Sequence, residues 1–253
     1  MENIILITGA TAGIGEACAR RFAAAGCPLI LTGRRGNRLQ ALSTELETAH
    51  GIAVLPLEFD VQQRPEVEKC LNNLPAAWQN IRVLINNAGL AAGRDFFEEA
   101  DLKDWETMLN TNVHGLLYVT RAVLPYLINV PHAQIINLGS IAGREVYEKG
   151  NVYCASKFAV DALSRSMRID LLRHRIRVTN ISPGAAETEF SLVRFKGNET
   201  MAAAAYQGLQ PLTAADIADS IFYCTQLPPH VCINELEITC TQQASTYYFN
   251  RDQ

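Results

Sequence analysis

The chain alternates short apolar runs with longer amphipathic segments, and this alternation limits the possible folds more than any other feature. The apolar runs predict strands at 4–8, 29–32, 53–57, 83–86, 134–138, 177–181 and 235–238. The segments between them predict helices near 14–25, 36–48, 65–73, 103–127, 152–174 and 214–226. Strands that are apolar at nearly every position are typical of a parallel sheet covered on both faces. The sequence therefore predicts one α/β domain over residues 1–253, with a doubly wound parallel sheet of about seven strands.

Composition and charge exclude several classes of protein. The net charge is −4 and no long basic run occurs, so we expect no nucleic-acid partner. The longest uncharged stretch, 122–143, contains prolines and polar amides, so we expect no membrane-spanning helix there. The first residues lack the features of a signal peptide, so we expect a cytoplasmic protein. The seven cysteines form no C-x-x-C pair, which indicates free thiols in a reducing compartment. The five histidines show no ligand spacing, so no metal is expected.

Residues that follow the predicted strands are the candidates for function. In doubly wound sheets, ligands bind outside the carboxyl ends of the strands, near the point where strand order reverses. The longest irregular region, about 183–211, follows the sixth predicted strand. Loops of that length in a compact domain are usually functional, so we expect this one to be a substrate lid.

A glycine-rich turn joins the first predicted strand to the first helix. It consists of Gly9, Ala10, Thr11, Ala12, Gly13, Ile14 and Gly15. Glycine permits positive φ and close approach of a phosphate to the backbone, and a helix N-terminus offers free N–H groups to a pyrophosphate. The structural alternative is a helix-entry turn whose glycines serve packing only. The position directly after the first strand favours dinucleotide binding in a Rossmann-like fold.

Basic residues follow the second predicted strand. In this fold an acidic residue about 20 positions after the glycine turn binds the ribose 2′-hydroxyl of NAD, whereas an arginine accommodates the 2′-phosphate of NADP. No acidic residue occurs between Glu16 and Glu45, and Arg34, Arg35 and Arg38 occupy the region. The alternative is a solvated basic helix start, which the helix dipole disfavours. The sequence therefore predicts NADP as the cofactor.

Four further motifs follow in chain order. They are Asn86-Asn87-Ala88-Gly89 after the fourth strand, Asn112 within Asn110-Thr111-Asn112-Val113, Ser140 after the fifth strand, and Tyr153-Cys154-Ala155-Ser156-Lys157 at the start of a long helix. With the T-G-x-x-x-G-x-G turn, and at these mutual distances, the chain resembles the short-chain dehydrogenase/reductase family over essentially its whole length. The resemblance implies a nicotinamide-dependent oxidoreductase.

The resemblance also assigns roles to individual residues. It implies catalytic roles for Asn112, Ser140, Tyr153 and Lys157. Ser140 is expected to hold the substrate oxygen, and Asn112 to support a proton relay from Lys157. The remaining candidate cofactor residues are Asn87, Ala88, Gly89, Asp60, Val61, Pro183, Gly184, Ala186 and Thr188. Family members are commonly homotetramers, so we expect the same here, with the two long helices 103–127 and 152–174 suited to subunit contacts.

Within the family, the chain is most similar to the NADP-dependent 3-hydroxy acid dehydrogenases. The similarity lies in Thr32-Gly33-Arg34-Arg35 with Arg38-Leu39, Leu74-Pro75 with Trp78, Asp104-Trp105-Glu106, and the loop 188–197. It implies a small-molecule substrate of the serine, L-allo-threonine or 3-hydroxypropionate type. The carboxylate of such a substrate needs a cationic partner, for which Arg194 is the first candidate and Arg144 the second. A subunit contact or simple solvation is the alternative for Arg194.

The residue types fit the oxidation of an alcohol. Tyrosine has a pKa of about 10, so a tyrosine base needs help to ionise. Lys157 lies four residues after Tyr153 and hence on the same helix face, and we expect its charge, with that of oxidised nicotinamide, to lower the phenol pKa. Each residue also has a structural alternative: Tyr153 in the core, Lys157 paired with Asp161, Ser140 as a turn residue, and Asn112 facing solvent.

Two other functions remain open from the sequence. A 3-oxoacyl-carrier-protein or general carbonyl reductase is one, although the V-D-G-G-like turn usual near the end of such reductases is absent. A binding protein that senses NADP(H) without turnover is the other, although such relatives typically lack the tyrosine or lysine, and both are present here.

Overall fold

A parallel sheet of seven strands forms the centre of the protein in a computed structural model that describes residues 1–252. The strands are β1 Ile4–Thr8, β2 Leu29–Gly33, β3 Val54–Glu58, β4 Ile81–Asn86, β5 Gln134–Leu138, β6 Arg177–Pro183 and β7 Glu235–Ile238. Their order is β3-β2-β1-β4-β5-β6-β7, and every neighbouring pair is parallel. The predicted Rossmann-like, doubly wound α/β fold is confirmed, and the strand order reverses between β1 and β4.

Helices cover both faces of the sheet. They are α1 Gly13–Ala24, α2 Gly36–His50, α3 Arg64–Leu71, α4 Leu102–Leu109, α5 Leu116–Ile128, α6 Asn151–Asp170, α7 Glu189–Arg194, α8 Glu199–Ala204 and α9 Ala214–Gln226. The core against one face includes side chains from α1, α2 and α9, and the core against the other includes side chains from α3 and α5. Within residues 1–252, no helix combines the length and apolarity needed to cross a bilayer.

The continuous apolarity of the strands follows from burial on both sides. On β1, Ile5 and Ile7 pack in the core beside α1, α2 and α9, whereas Ile4 and Leu6 pack in the opposite core. Successive side chains of a strand point to opposite faces, so a strand covered twice has no polar face. This is the physical reason that the strands were recognisable in the sequence.

Two parts of the chain differ from the prediction. The predicted helix at 103–127 is interrupted by a π-helical segment, Asn110–Gly115, between α4 and α5. The predicted irregular region 183–211 contains α7 and α8, which begin at capping residues Thr188 and Asn198. Each of these helices has only six residues, too few for an apolar periodicity to show.

Thr8, the last residue of β1, ties the two strands at the reversal point together. Its Oγ1 accepts hydrogen bonds from the backbone N–H of Asn87 at 3.0 Å and of Ala88 at 2.9 Å. Thr32 lies beside Thr8 in register on β2, and its buried Oγ1 has no hydrogen-bond partner within residues 1–252. The buried hydroxyl of Thr8 therefore accepts two hydrogen bonds, whereas that of Thr32 takes part in none within residues 1–252.

We expect Thr8→Val to destabilise the protein and Thr32→Val to leave its stability unchanged or raise it. The first substitution removes the acceptor of two N–H groups. The Asn87 N–H keeps the Ile85 carbonyl as an acceptor at 3.0 Å, whereas the Ala88 N–H is left without one among residues 1–252, at a cost of about 1–3 kcal/mol. The second removes a hydroxyl that bonds to nothing. Urea unfolding of the two variants measures the difference. Equal losses of unfolding free energy would show that the Thr8 hydrogen bonds do not tie the strands together.

Candidate active site

A cleft of about 350 Å³ at the carboxyl edge of the sheet brings together most of the predicted site residues. Those that line it are Gly9, Thr11, Ala12, Gly13, Ile14, Arg34, Arg35, Asp60, Val61, Asn87, Ala88, Gly89, Ser140, Tyr153, Lys157, Pro183, Gly184, Ala186 and Thr188. The predicted residues outside its lining are Ala10, Gly15, Arg38, Asn112, Arg144 and Arg194. The lining residues that the prediction missed are Gly33, Phe59, Leu90, Thr111, Leu138, Gly139, Glu189, Phe190 and Val193. Most of these lie next to a predicted residue near the end of a strand, and that position could have predicted them from the sequence.

The glycine turn has the backbone conformation that its sequence predicted. Gly9 and Gly13 have φ of 65° and 54°. Ala12 precedes α1 and provides no side-chain cap, so the first N–H groups of the helix are not used by a capping side chain. A Cβ on Gly15 would lie 2.3 Å from the carbonyl oxygen of Gly9, so Gly15 serves close packing of the helix on the turn. Ala10 is likewise buried in the core.

Carboxylates from distant parts of the chain meet the arginines that follow β2. Arg34 lies 3.5 Å from Asp60, measured from Nη1 to Oδ2. Arg35 and Arg38 both contact Glu189, with Nη1 to carboxylate oxygen distances of 2.8 Å each. The sequence has no acidic residue between Glu16 and Glu45, so these ion pairs with carboxylates far away in the chain arise only in the tertiary structure.

Tyr153 and Ser140 form the centre of the site. Burial raises the pKa of the Tyr153 phenol and the neighbouring Tyr147 raises it further, whereas Ser140 and the charge of Arg194 oppose that rise. The Ser140 hydroxyl also accepts a hydrogen bond from the Ala142 N–H at 3.1 Å and lies 3.4 Å from the carbonyl oxygen of Pro183. Ser140 is therefore a turn residue and a site residue at the same time.

Lys157 is buried beside Tyr153 but does not lower its pKa in this structure. The Lys157 Nζ donates a hydrogen bond to the Leu138 carbonyl at 2.8 Å and lies 6.0 Å from the centre of the Tyr153 ring. Burial lowers the pKa of Lys157 to about 8. The expected depression of the Tyr153 pKa relies on the charge of oxidised nicotinamide as well as on Lys157, so it stays a prediction, and in the structure burial has the largest effect on this pKa. The alternative partner Asp161 pairs with Arg165 instead, at 2.9 Å.

Asn112 is held inside the protein by the π-helical segment. Its side chain exchanges two hydrogen bonds of 2.8 Å with the backbone of Leu90, and its Nδ2 donates a third to Ser156 Oγ at 3.0 Å. The solvent-facing alternative is therefore wrong, since Asn112 is 2% exposed. π-Helical insertions of this kind are frequent at functional sites. Here the insertion lets one amide join the loop after β4 to helix α6.

Of the two arginines predicted to bind a substrate anion, the structure brings one to Tyr153. The guanidinium carbon of Arg194 lies 5.6 Å from the centre of the Tyr153 ring and 5.4 Å from that of Tyr147. Its Nε and Nη2 are buried and have no hydrogen-bond partner among residues 1–252. Arg144 instead forms an ion pair with Glu235, outside the cleft.

Tyr147 was missed by the sequence analysis. It packs with Tyr153 in a small apolar cluster, and burial raises its phenol pKa. It lies in the loop that follows Ser140, and its place after β5 was the available signal. No group of three His, Cys, Asp or Glu side chains that could hold a metal occurs in the described part of the chain.

The comparisons with known proteins identify the family. A family model described as short chain dehydrogenase matches residues 3–198. The chain therefore belongs to the short-chain dehydrogenase family, as its motifs predicted, and is an oxidoreductase of that family.

Several named enzymes are similar to this chain over nearly its whole length. The sulfoacetaldehyde reductase 2 of Chromohalobacter salexigens is 46% identical over 100% of both chains. The NADP-dependent 3-hydroxy acid dehydrogenase YdfG of Escherichia coli strain K12 is 47% identical over 95% of this chain and 96% of its own. The closed form of serine dehydrogenase complexed with NADP⁺ superimposes with a TM-score of 0.91 at 45% identity, covering 99% of this chain and 100% of that one. These relatives agree with the predicted cofactor and reaction.

We expect the stability of the protein to increase with pH near the pKa of Lys157. Native Lys157 loses its proton near pH 8, whereas an unfolded lysine keeps its proton to about pH 10.4, so the unfolded chain binds more protons between these values. Raising the pH there favours the native state. Between about pH 7.5 and about pH 9.5 the wild-type protein should gain about 2 kcal/mol relative to Lys157→Met.

Urea unfolding at a series of pH values measures this gain. Lys103→Met, which removes an exposed lysine, is the matched control and should follow the wild-type profile. Parallel profiles for the wild-type protein and Lys157→Met would contradict the lowered pKa.

Proposed function

We propose that the protein is an NADP-dependent oxidoreductase that transfers hydride between NADP(H) and a short 3-hydroxy acid or hydroxy amino acid. The observation that carries the substrate class is the Arg194 guanidinium, which lies beside the rings of Tyr147 and Tyr153. The compounds in the relatives' names support it, since sulfoacetaldehyde, serine and 3-hydroxy acids all carry an acid group near the reacting carbon.

Arg194 suits an anionic substrate because its Nε and Nη2 have no hydrogen-bond partner among residues 1–252. A buried donor without an acceptor costs free energy, and two nitrogens of this guanidinium are in that condition. A carboxylate or sulfonate can accept from two guanidinium nitrogens at once, and such charge-assisted pairs are strong. An uncharged acyl thioester offers these nitrogens only neutral carbonyl acceptors and no negative charge to pair with the guanidinium. The site therefore favours a small acid over an acyl-carrier substrate.

The cleft fits a dinucleotide with a 2′-phosphate. The positive φ of Gly9 and Gly13 and the uncapped start of α1 suit a pyrophosphate. Arg34 and Arg35 line the cleft at the end of β2, where the 2′-phosphate is expected. NADP⁺, when bound, would accept the hydride from the alcohol carbon.

The proton of the alcohol is handled by side chains of this chain. In our proposal Tyr153 accepts it as the general base, and Ser140, which lines the same cleft, orients the substrate oxygen. The raised pKa of Tyr153 means that the phenol is protonated in the free protein. It therefore also suits the reverse direction, in which Tyr153 donates the proton to a carbonyl oxygen. Lys157, with its pKa near 8, can exchange a proton in the neutral range.

The surroundings of the site support three further parts of the proposal. We assign residues 183–211 as a substrate lid, since Phe190 packs 5.6 Å from the Tyr153 ring and Arg194 ends α7.

A homotetramer is supported by exposed apolar side chains on α6, among them Phe158 and Ile169. A cytoplasmic location is supported by the cysteines, all seven of which are free.

We expect Tyr153→Phe to lower kcat by about 10²–10⁴-fold while NADPH affinity changes little, because the ring packing stays and only the proton carrier is lost. Absorbance at 340 nm measures turnover with serine, 3-hydroxypropionate and sulfoacetaldehyde, and fluorescence titration measures NADPH binding. A variant that keeps most of its kcat would rule out Tyr153 as the base. Failure of the wild-type protein to turn over any acid while binding NADPH would favour a sensor.

We expect Arg194→Met to raise KM for a 3-hydroxy acid by about 10–100-fold, the effect of losing one charge-assisted bidentate contact. KM for an uncharged alcohol of similar size should change far less. Arg144→Met is the matched control, because Arg144 pairs with Glu235 outside the cleft, and it should leave both values near wild type. Steady-state kinetics with the two substrates provide the comparison. Equal changes for both substrates in Arg194→Met would exclude Arg194 as the anion-binding residue.

A further inference from the structure

Glu189 connects the proposed lid to the basic end of the cofactor cleft. It is the first residue of α7, and its two carboxylate oxygens each accept a hydrogen bond of 2.8 Å, one from Arg35 and one from Arg38. These partners lie 154 and 151 positions away in the chain. Glu189 also lines the same cleft as the glycine turn.

The carboxylate of Glu189 occupies the kind of position that a phosphate would require. Two guanidinium groups converge on one anionic group, an arrangement that binds phosphate and carboxylate alike. The hydrogen bonds from Arg35 and Arg38 lower the pKa of Glu189, so the carboxylate is charged at neutral pH. Its side chain is 42% exposed, and exposed ion pairs of this kind contribute little to stability. A phosphate with more charge could therefore displace it.

The same short helix also reaches the substrate side of the site. Phe190, next to Glu189, packs against the Tyr153 ring at 5.6 Å, and Arg194 ends the helix beside that ring at 5.6 Å. A six-residue helix is about 9 Å long and holds its side chains in fixed relative positions. A change at Glu189 is therefore transmitted directly to Arg194.

We propose that Glu189 is a specificity-determining residue that takes the place of the cofactor 2′-phosphate in the free protein, and that its displacement by this phosphate releases α7. NADP(H) would displace the Glu189 carboxylate from Arg35 and Arg38, whereas NAD(H), which has no 2′-phosphate, leaves α7 attached to them. The position of Arg194 thereby depends on which dinucleotide is bound. This inference rests on the proposed use of NADP(H).

The first test is the affinity of Glu189→Gln for NADP⁺ and NAD⁺, measured by isothermal titration calorimetry. Without the competing charge, the variant should bind NADP⁺ about three- to tenfold more tightly than wild type and NAD⁺ with unchanged affinity. Glu187→Gln removes the same charge two positions earlier, at an exposed side chain outside the cleft, and should match wild type. Unchanged or weaker NADP⁺ binding by Glu189→Gln would overturn the inference, as would equal tightening for both dinucleotides.

The second test follows the lid itself, by trypsin cleavage after Arg194 and Lys196 located by mass spectrometry. Adenosine 2′-monophosphate should speed this cleavage in the wild-type protein, and adenosine 5′-monophosphate should not. Glu189→Gln should be cleaved fast without either nucleotide. If the protein binds NADP⁺ but its cleavage does not respond to the 2′-phosphate, this inference is overturned and the proposed function is not. A wild-type protein that does not bind NADP⁺ would overturn the proposed function and this inference with it.

Discussion

The hydrogen bonds between the end of β1 and the loop after β4 are the interaction on which the rest of the site depends. Thr8 accepts from the backbone of Asn87 and Ala88, which places the loop after β4 against the glycine turn. Asn112 then holds Leu90 in the same loop and donates to Ser156 on α6. Helix α6 carries Tyr153 and Lys157. Through the short segment from Ala88 to Leu90, these hydrogen bonds therefore join the glycine turn to helix α6.

Burial determines the protonation states in the site. It raises the pKa of Tyr153 and lowers that of Lys157 to about 8, so both groups are driven toward their neutral forms. Arg194 behaves differently, because a guanidinium does not lose its proton under ordinary conditions. The site thus combines two groups that can exchange protons with one group that keeps its charge. This combination suits the oxidation of an alcohol that carries an acid group.

Helix α7 lies along the cleft and contacts both of its ends. Glu189 at its start meets the arginines after β2, and Arg194 at its end meets the aromatic rings beside Ser140. A cofactor that changed the first contact would change the second, since Glu189 and Arg194 are the first and last residues of a helix of only six residues. The proposed lid is therefore part of both the cofactor site and the substrate site.

The sequence by itself determined the elements of the fold and the chemistry of the cleft. Apolar runs marked the seven strands because both faces of the sheet are buried, and the glycine turn was recognisable from its place directly after the first strand. Tyr153 and Lys157 were recognisable from the resemblance of their motif to that of the family. The π-helical segment and α7 were not recognisable, since neither is long enough to have a periodicity. Only the tertiary structure decided that Arg144 pairs with Glu235, that Glu189 meets Arg35 and Arg38, and that burial sets the pKa of Tyr153. Ion pairs between distant residues and the loss of solvent around a side chain are properties of the packed chain, and no local pattern encodes them.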